Sequence, residues 1–235
     1  MSELPIKLPV AKILLAALAA PGVHARTILW FAIPVIAVRV VGSLVEPASA
    51  ALFGWALVNF GLTLILAVVC HRIVVLGTQS VAGFPIVWWT WRETRFLGWS
   101  LGIGLIAGLV MLPALSVSQS PWLLIPLLLP GLYVFSRLAL VLPIVATDGV
   151  AGLGKAWDLS RGNGLRLVAV VTLLPFSLEV VVAWLPRPDV LVLDLLLIFA
   201  ELYVFVVGVA ALSMAYRELD RARMGPLESA GVATP

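Results

Sequence analysis

Charge is what this sequence has least of. Only 11% of its 235 residues are charged, against about 25% in soluble globular domains. The remainder is 62% hydrophobic, with a mean hydropathy of +1.13. A soluble fold cannot hide that much apolar surface, because much of any folded chain still faces water. Cysteine is nearly absent. Cys70 alone excludes an intramolecular disulfide and a cysteine-rich metal site. Histidine is as scarce, with His24 and His71 only, and Cys70-His71 has no second cluster to complete a zinc site. No metal and no cofactor is therefore expected. The net charge of +3 is spread along the chain with no basic stripe of interleaved aromatics, so nucleic acid is not an expected partner. "GVAGLGKAWDLS" has Gly154-Lys155 but neither a preceding strand nor a hydroxyl residue after the lysine, which excludes a phosphate loop.

Long hydrophobic runs are what is present. A spanning helix needs about 20 mostly apolar residues with its backbone satisfied internally. Six stretches meet this, at about 27–45, 50–69, 96–115, 121–146, 165–185 and 190–214. The expected fold is all-α, a polytopic transmembrane helical bundle of about six spans with short interfacial helices. Lysine and arginine orient it. They gather at the N-terminus (Lys7, Lys12, Arg26) and in the even connections (Arg72, Arg92, Arg95; Lys155, Arg161, Arg166). The tail adds Arg217, Arg221 and Arg223, while Arg187 is the one clear case in an odd connection. Both termini are expected on the cytoplasmic side.

Residues 1–26 have two readings. One is a signal peptide ending at Val23-x-Ala25. The other, which the charge distribution favours, is a retained interfacial helix with Val10, Ile13, Leu14, Ala17 and Leu18 on one stripe. "WWTWRETRF" reads as an interfacial tryptophan belt. Residues 217–235 form a cytoplasmic tail, expected to be disordered after Arg223. "LYVF" at 132–135 and 202–205 is no more repetition than a Leu/Val-rich chain produces by chance.

Ionisable groups inside spans are costly and mark function or structural pairing. Arg39, Arg137, Glu179, Asp194 and Glu201 fall there. At about 1.5 Å of rise per residue, Arg39 and Glu179 share a depth, and Glu201 lies within snorkelling reach of Arg137. Asp194 belongs near the outer surface. The two expected pairs, Arg39 with Glu179 and Arg137 with Glu201, fix helix order. The competing reading makes the four one polar path, but no Ser/Thr/Asn-rich lining accompanies them. Prolines at 34, 113, 126, 130, 143 and 175 are positioned to kink spans.

"GWSLG" matches the G-x-S-x-G elbow of serine hydrolases, but that elbow needs a strand-turn-helix setting. Here Gly98 and Gly102, and Gly104 and Gly108, are spaced for close helix packing, which makes span three an expected central helix.

Residues 132–164 change from apolar to small, basic and polar. Asp148 is placed to cap a short helix over about 149–161, with Val150, Leu153 and Trp157 on one side and Lys155, Asp158 and Arg161 elsewhere. Arg137, Leu142-Pro143, Asp148-Gly149, Ala156-Trp157, Leu159-Ser160 and Gly162, with "YREL" at 216–219, carry a resemblance. The stretch resembles the membrane-domain family associated with glycerophosphoryl diester phosphodiesterases, and related bacterial six-span proteins. The resemblance implies a six-span fold in a bacterial inner membrane. It implies no activity, since the family's phosphodiester chemistry belongs to a separate barrel domain for which this chain has no room.

The expected function is a non-catalytic module that contacts lipid or a membrane-protein partner, a second copy included. Arg92, Arg95, Lys155, Arg161 and Arg166 are the candidates for anionic headgroups. The alternatives are a transporter or channel subunit using Arg39, Arg137, Glu179 and Glu201, and an intramembrane hydrolase with Ser100 as nucleophile.

Overall fold

The computed structural model describes residues 7–44, 49–85, 89–117, 121–185 and 191–231. Trp88 of the tryptophan belt, Arg187 and the last residues of the tail lie outside them. The chain is an all-α bundle, with no strand among the described residues. Its helices are α1 (Val10–Val23), α2 (Ala25–Leu44), α3 (Ser49–Leu76), α4 (Trp91–Val117) and α5 (Pro121–Leu138), then α6 (Val141–Ala146), α7 (Leu153–Leu159), α8 (Gly164–Leu167), α9 (Leu174–Ala183) and α10 (Leu191–Gly231). Among the described residues, six segments are long and apolar enough to cross a membrane: Ala25–Leu44, Leu52–Leu76, Trp91–Leu112, Pro126–Ala146, Gly164–Ala183 and Val192–Arg223. The protein is thus a multi-pass membrane protein.

Proline shapes the two irregular spans. Pro143 has no amide for the Ala139 carbonyl, and Leu142 N bonds that carbonyl instead, at 2.9 Å. The fourth span, expected to run unbroken, therefore divides into α5 and α6. In the fifth span Pro175 withholds the amide that would reach Val171, and the preceding turn, Val168–Leu173, widens into a π-helix. Pro34 leaves α2 continuous.

Helix α10 is the spine. One core cluster joins it to α1, α3, α5 and α6 through residues such as Ile13, Leu64, Leu140, Val207 and Ala211. A second, including Phe31, Val35, Leu66, Ile73 and Val206, joins α2, α3 and α10. The expected disordered tail is instead helical through Gly231. α1, read as an interfacial helix, is fastened to the bundle. Its predicted stripe packs against α10, burying Ile13 and Ala17 with Ala20. Leu8 N donates to Asn163 Oδ1 at 2.8 Å, Tyr203 donates to the Leu18 carbonyl, and Lys12 pairs with Glu218.

Span three is not central. α4 packs through Phe96, Ile103 and Ala107, whereas Leu101, Leu105 and Leu109 are exposed. A Cβ at Gly98, Gly102, Gly104 or Gly108 would meet nothing within 4 Å. The glycine that admits α4 is on the facing helix: a Cβ at Gly131 would overlap Met111.

Candidate functional site

Arg137 ends α5 and is 7% exposed. Its Nε donates to Ser160 Oγ at 2.7 Å, its Nη2 to the Trp157 carbonyl at 2.6 Å and its Nη1 to Tyr133 Oη at 3.2 Å. The guanidinium carbon lies 3.6 Å from the centroid of the Trp157 ring. The Trp157 carbonyl is in the last turn of α7, where helix carbonyls lack intrahelical partners. Arg137 therefore caps α7 and pins it under the fourth span. The expected approach to Glu201 does not occur, because α7 folds back and offers nearer acceptors. A Cβ at Gly164 would overlap the Tyr133 ring, so glycine there lets α8 close over the same cage.

A second cluster lies on Asp148. Its φ is +63°, an uncommon state that Asp tolerates better than most residues. In that state its carboxylate meets Arg72 Nη1 at 2.6 Å and Arg92 Nη1 at 3.5 Å. Arg72 also donates to the Ala146 carbonyl, and both guanidinium groups approach the Phe84 ring. Asp148 consequently does not cap α7, whose N-cap is Gly152. Arg92 further pairs with Glu93 at 3.1 Å, and Arg95 donates to the Gly149 carbonyl at 3.3 Å. These two candidates for headgroups are engaged by the protein itself. Lys155 and Arg161 are exposed, Arg161 beside Asp158 at 3.3 Å, and Arg166 is half-buried with an unpartnered, buried Nη1. Of the side expected to carry Val150, Leu153 and Trp157, Val150 is 83% exposed, while α7 packs through Ala156 and Leu159.

Arg39 does not meet Glu179. It pairs with Glu201 at 2.9 Å, in a cleft that Asn59 and Asp194 also line. Counting residues ordered these groups by depth but could not say which helices are neighbours. α2 packs on α3 and α10, and α9 packs elsewhere on α10. Arg39 with Glu201, Arg137 and Glu179 thus lie in three separate places.

Glu179 belongs to the third. It lies at the edge of an open-sided cavity of about 340 Å³ between α3, α4, the fourth and fifth spans and α10. Phe60, Thr63, Leu64, Ala67 and His71 line it along one face of α3, and Val171, Pro175 and Glu179 along the fifth span. Phe60 and Glu179 are exposed at one end, and His71 is 1% exposed at the other. His71 Nδ1 is 2.6 Å from Ser213 Oγ, and that hydroxyl donates to the Val209 carbonyl at 2.8 Å. The tautomer that satisfies both contacts has Ser213 donating to Val209 and accepting from Nδ1–H, with Nε2 an acceptor. Ser100 lines the same cavity but donates to the Phe96 carbonyl, not to His71. The hydroxyl that does meet the imidazole, Ser213, is fully buried.

The chain matches no family model, no curated protein and no solved structure.

Sequence reasoning missed the His71–Ser213 pair, the role of Arg72 and the start of α4. The last had a signal. Thr90-Trp91-Arg92-Glu93 is a capping box, in which Glu93 accepts from the Thr90 amide at 2.8 Å and from its hydroxyl.

Proposed function

We propose that this is a non-catalytic lipid-contacting module of the bacterial cytoplasmic membrane, with both termini inside. The segment from Val150 to Arg166 rests on that leaflet. One observation carries the reading: Val150 and Leu165 are 83% and 80% exposed, and Trp157 is 38% exposed, beside the outward Lys155 and Arg161. Apolar side chains exposed among cations at the end of a membrane bundle fit the headgroup boundary, where each Lys or Arg gains about 1 kcal/mol from anionic lipid. Arg92 and Arg95 serve a different purpose in this reading. They hold Asp148-Gly149 in place, and Arg137 holds α7, so the motif that resembles the phosphodiesterase-associated membrane domains is the frame of the lipid-facing segment.

The test is lipid retention. Full-length protein carrying Lys155→Glu and Arg161→Glu should release co-purifying phosphatidylglycerol in native mass spectrometry, while phosphatidylethanolamine stays. Undiminished phosphatidylglycerol would count against the reading. A partner helix is the second reading, favoured by the open glycine face of α4. It predicts that Gly102→Leu shifts the protein to a smaller assembly in detergent.

A further inference from the structure

The His71 cavity calls for an occupant of its own, independent of any headgroup contact at α7. Three features define what fits. The first is shape. Phe60, Leu64, Ala67 and His71 mark a line along α3 about 16 Å long at 1.5 Å per residue. The line begins about one turn from the Leu76 end of the span and continues past its middle. A chain lying there would run from one boundary of the bilayer toward its centre, as lipid tails do. The volume, about 340 Å³, falls at the lower end of the ~300–1,000 Å³ typical of small-molecule sites. Small residues, Ala67, Ala139 and Gly208, leave the space open.

The second is charge. Among the described residues no Lys or Arg lines the cavity, and the ionisable side chains that do are His71 and Glu179. A phosphate would find no cation there, and burying an unpaired charge is costly. The third is the imidazole. It is 1% exposed, held through Nδ1 by Ser213 and tilted against Phe96 at 5.6 Å. No described residue partners Nε2, and His71 lines the cavity, so a donor held there would complete the imidazole.

We propose that the cavity holds a neutral lipid alcohol. Its hydroxyl donates to His71 Nε2, and its single chain lies along the Phe60–His71 face of α3. The bilayer supplies it through the end at Phe60 and Glu179. The shared chemistry, an uncharged hydroxyl on a single apolar chain, belongs to both monoacylglycerols and isoprenoid alcohols.

The experiment uses full-length protein in phosphatidylcholine nanodiscs and three probes: hexadecanol carrying a mid-chain diazirine, its methyl ether and its phosphate monoester. After irradiation, labelled residues are mapped by mass spectrometry. The alcohol should label cavity residues such as Leu64 and Gly208. The ether, which has no proton to donate, and the phosphate should label them about tenfold less. Equal labelling by alcohol and ether would overturn the proposal, as would alcohol labelling confined to outward residues such as Leu105 and Phe176. Excess farnesol or 1-monooctanoylglycerol should displace the alcohol, and whichever does so identifies the chain type; displacement by neither overturns it. His71→Gln, which keeps an acceptor, should preserve the alcohol-to-ether ratio, and His71→Phe should bring it to about one. A ratio unmoved by His71→Phe would sink the assignment. If that variant does not fold, the wild-type ratio and the competition decide.

Discussion

Arg137 donates to the carbonyl of Trp157 at 2.6 Å while its guanidinium covers the Trp157 ring, so a single cation holds both the backbone and the side chain of α7. No carboxylate is among its partners. Desolvated cation–π contacts contribute about 2 kcal/mol, and charged hydrogen bonds about 1.5–3 kcal/mol each. Arg137→Ala should therefore destabilise the protein by at least about 3 kcal/mol in an SDS unfolding titration. Arg137→Lys should recover less than half of that, since an ammonium cannot reach three acceptors and lie flat on a ring. Full recovery by lysine would show that charge alone suffices.

Asp148 combines a left-handed backbone with an ion pair to Arg72. The carboxylate is 56% exposed, so the pair is worth at most about 1 kcal/mol. Backbone and charge separate by substitution. Asp148→Asn, which tolerates the backbone, should cost less than 1 kcal/mol. Asp148→Ala should cost about 1–2 kcal/mol more from the positive φ. Equal losses in thermal melts would argue that the φ carries no strain.

Glycine function should divide sharply. Gly131 and Gly164 face Met111 and Tyr133 with no room for a methyl, whereas Gly102 and Gly104 face open space. Gly131→Ala and Gly164→Ala should each destabilise by about 1–3 kcal/mol. Gly102→Ala and Gly104→Ala should be neutral or slightly stabilising in the monomer, because alanine is the better helix former. Destabilisation by the latter pair would mean that their face is covered in the membrane.

A double-mutant cycle on Arg39→Gln and Glu201→Gln should give a coupling energy above about 0.5 kcal/mol, as contacting charges do. The same cycle on Arg39 and Glu179 should give none.

Deleting residues 1–24 should lower the unfolding midpoint, because Ile13, Ala17 and Ala20 would leave an apolar face of α10 uncovered. An unchanged midpoint would favour a removable leader.

Six spans were legible because hydrocarbon imposes one rule on every residue of a span, and a window of hydropathy reads it. Partners were not. Arg39, Glu179 and Glu201 are within reach of one another by depth, and only the lateral order of α2, α9 and α10 decides who meets whom. Arg137 was legible as an anomaly, yet its partners, Ser160 and the Trp157 carbonyl, come from a seven-residue helix whose return path depends on Pro143 breaking the span. The glycine pairs misled for a related reason. Spacing shows that backbones can approach, and Met111 against Gly131 shows where one did. His71 read from the sequence only as half of an incomplete zinc site; the chain continues as helix to Leu76, and this places the ring against Phe96 of α4 and Ser213 of α10.

Helix α10 has 41 residues, about 60 Å of continuous rod at 1.5 Å per residue. Hydrocarbon accounts for only about 30 Å of that. A rod so mounted is a lever: Glu201 sits on one arm, held by Arg39, and Arg217 sits on the other, gripping the Val74 carbonyl. Displacement of Glu201 along the helix axis is therefore carried to Arg217 through one uninterrupted run of helix.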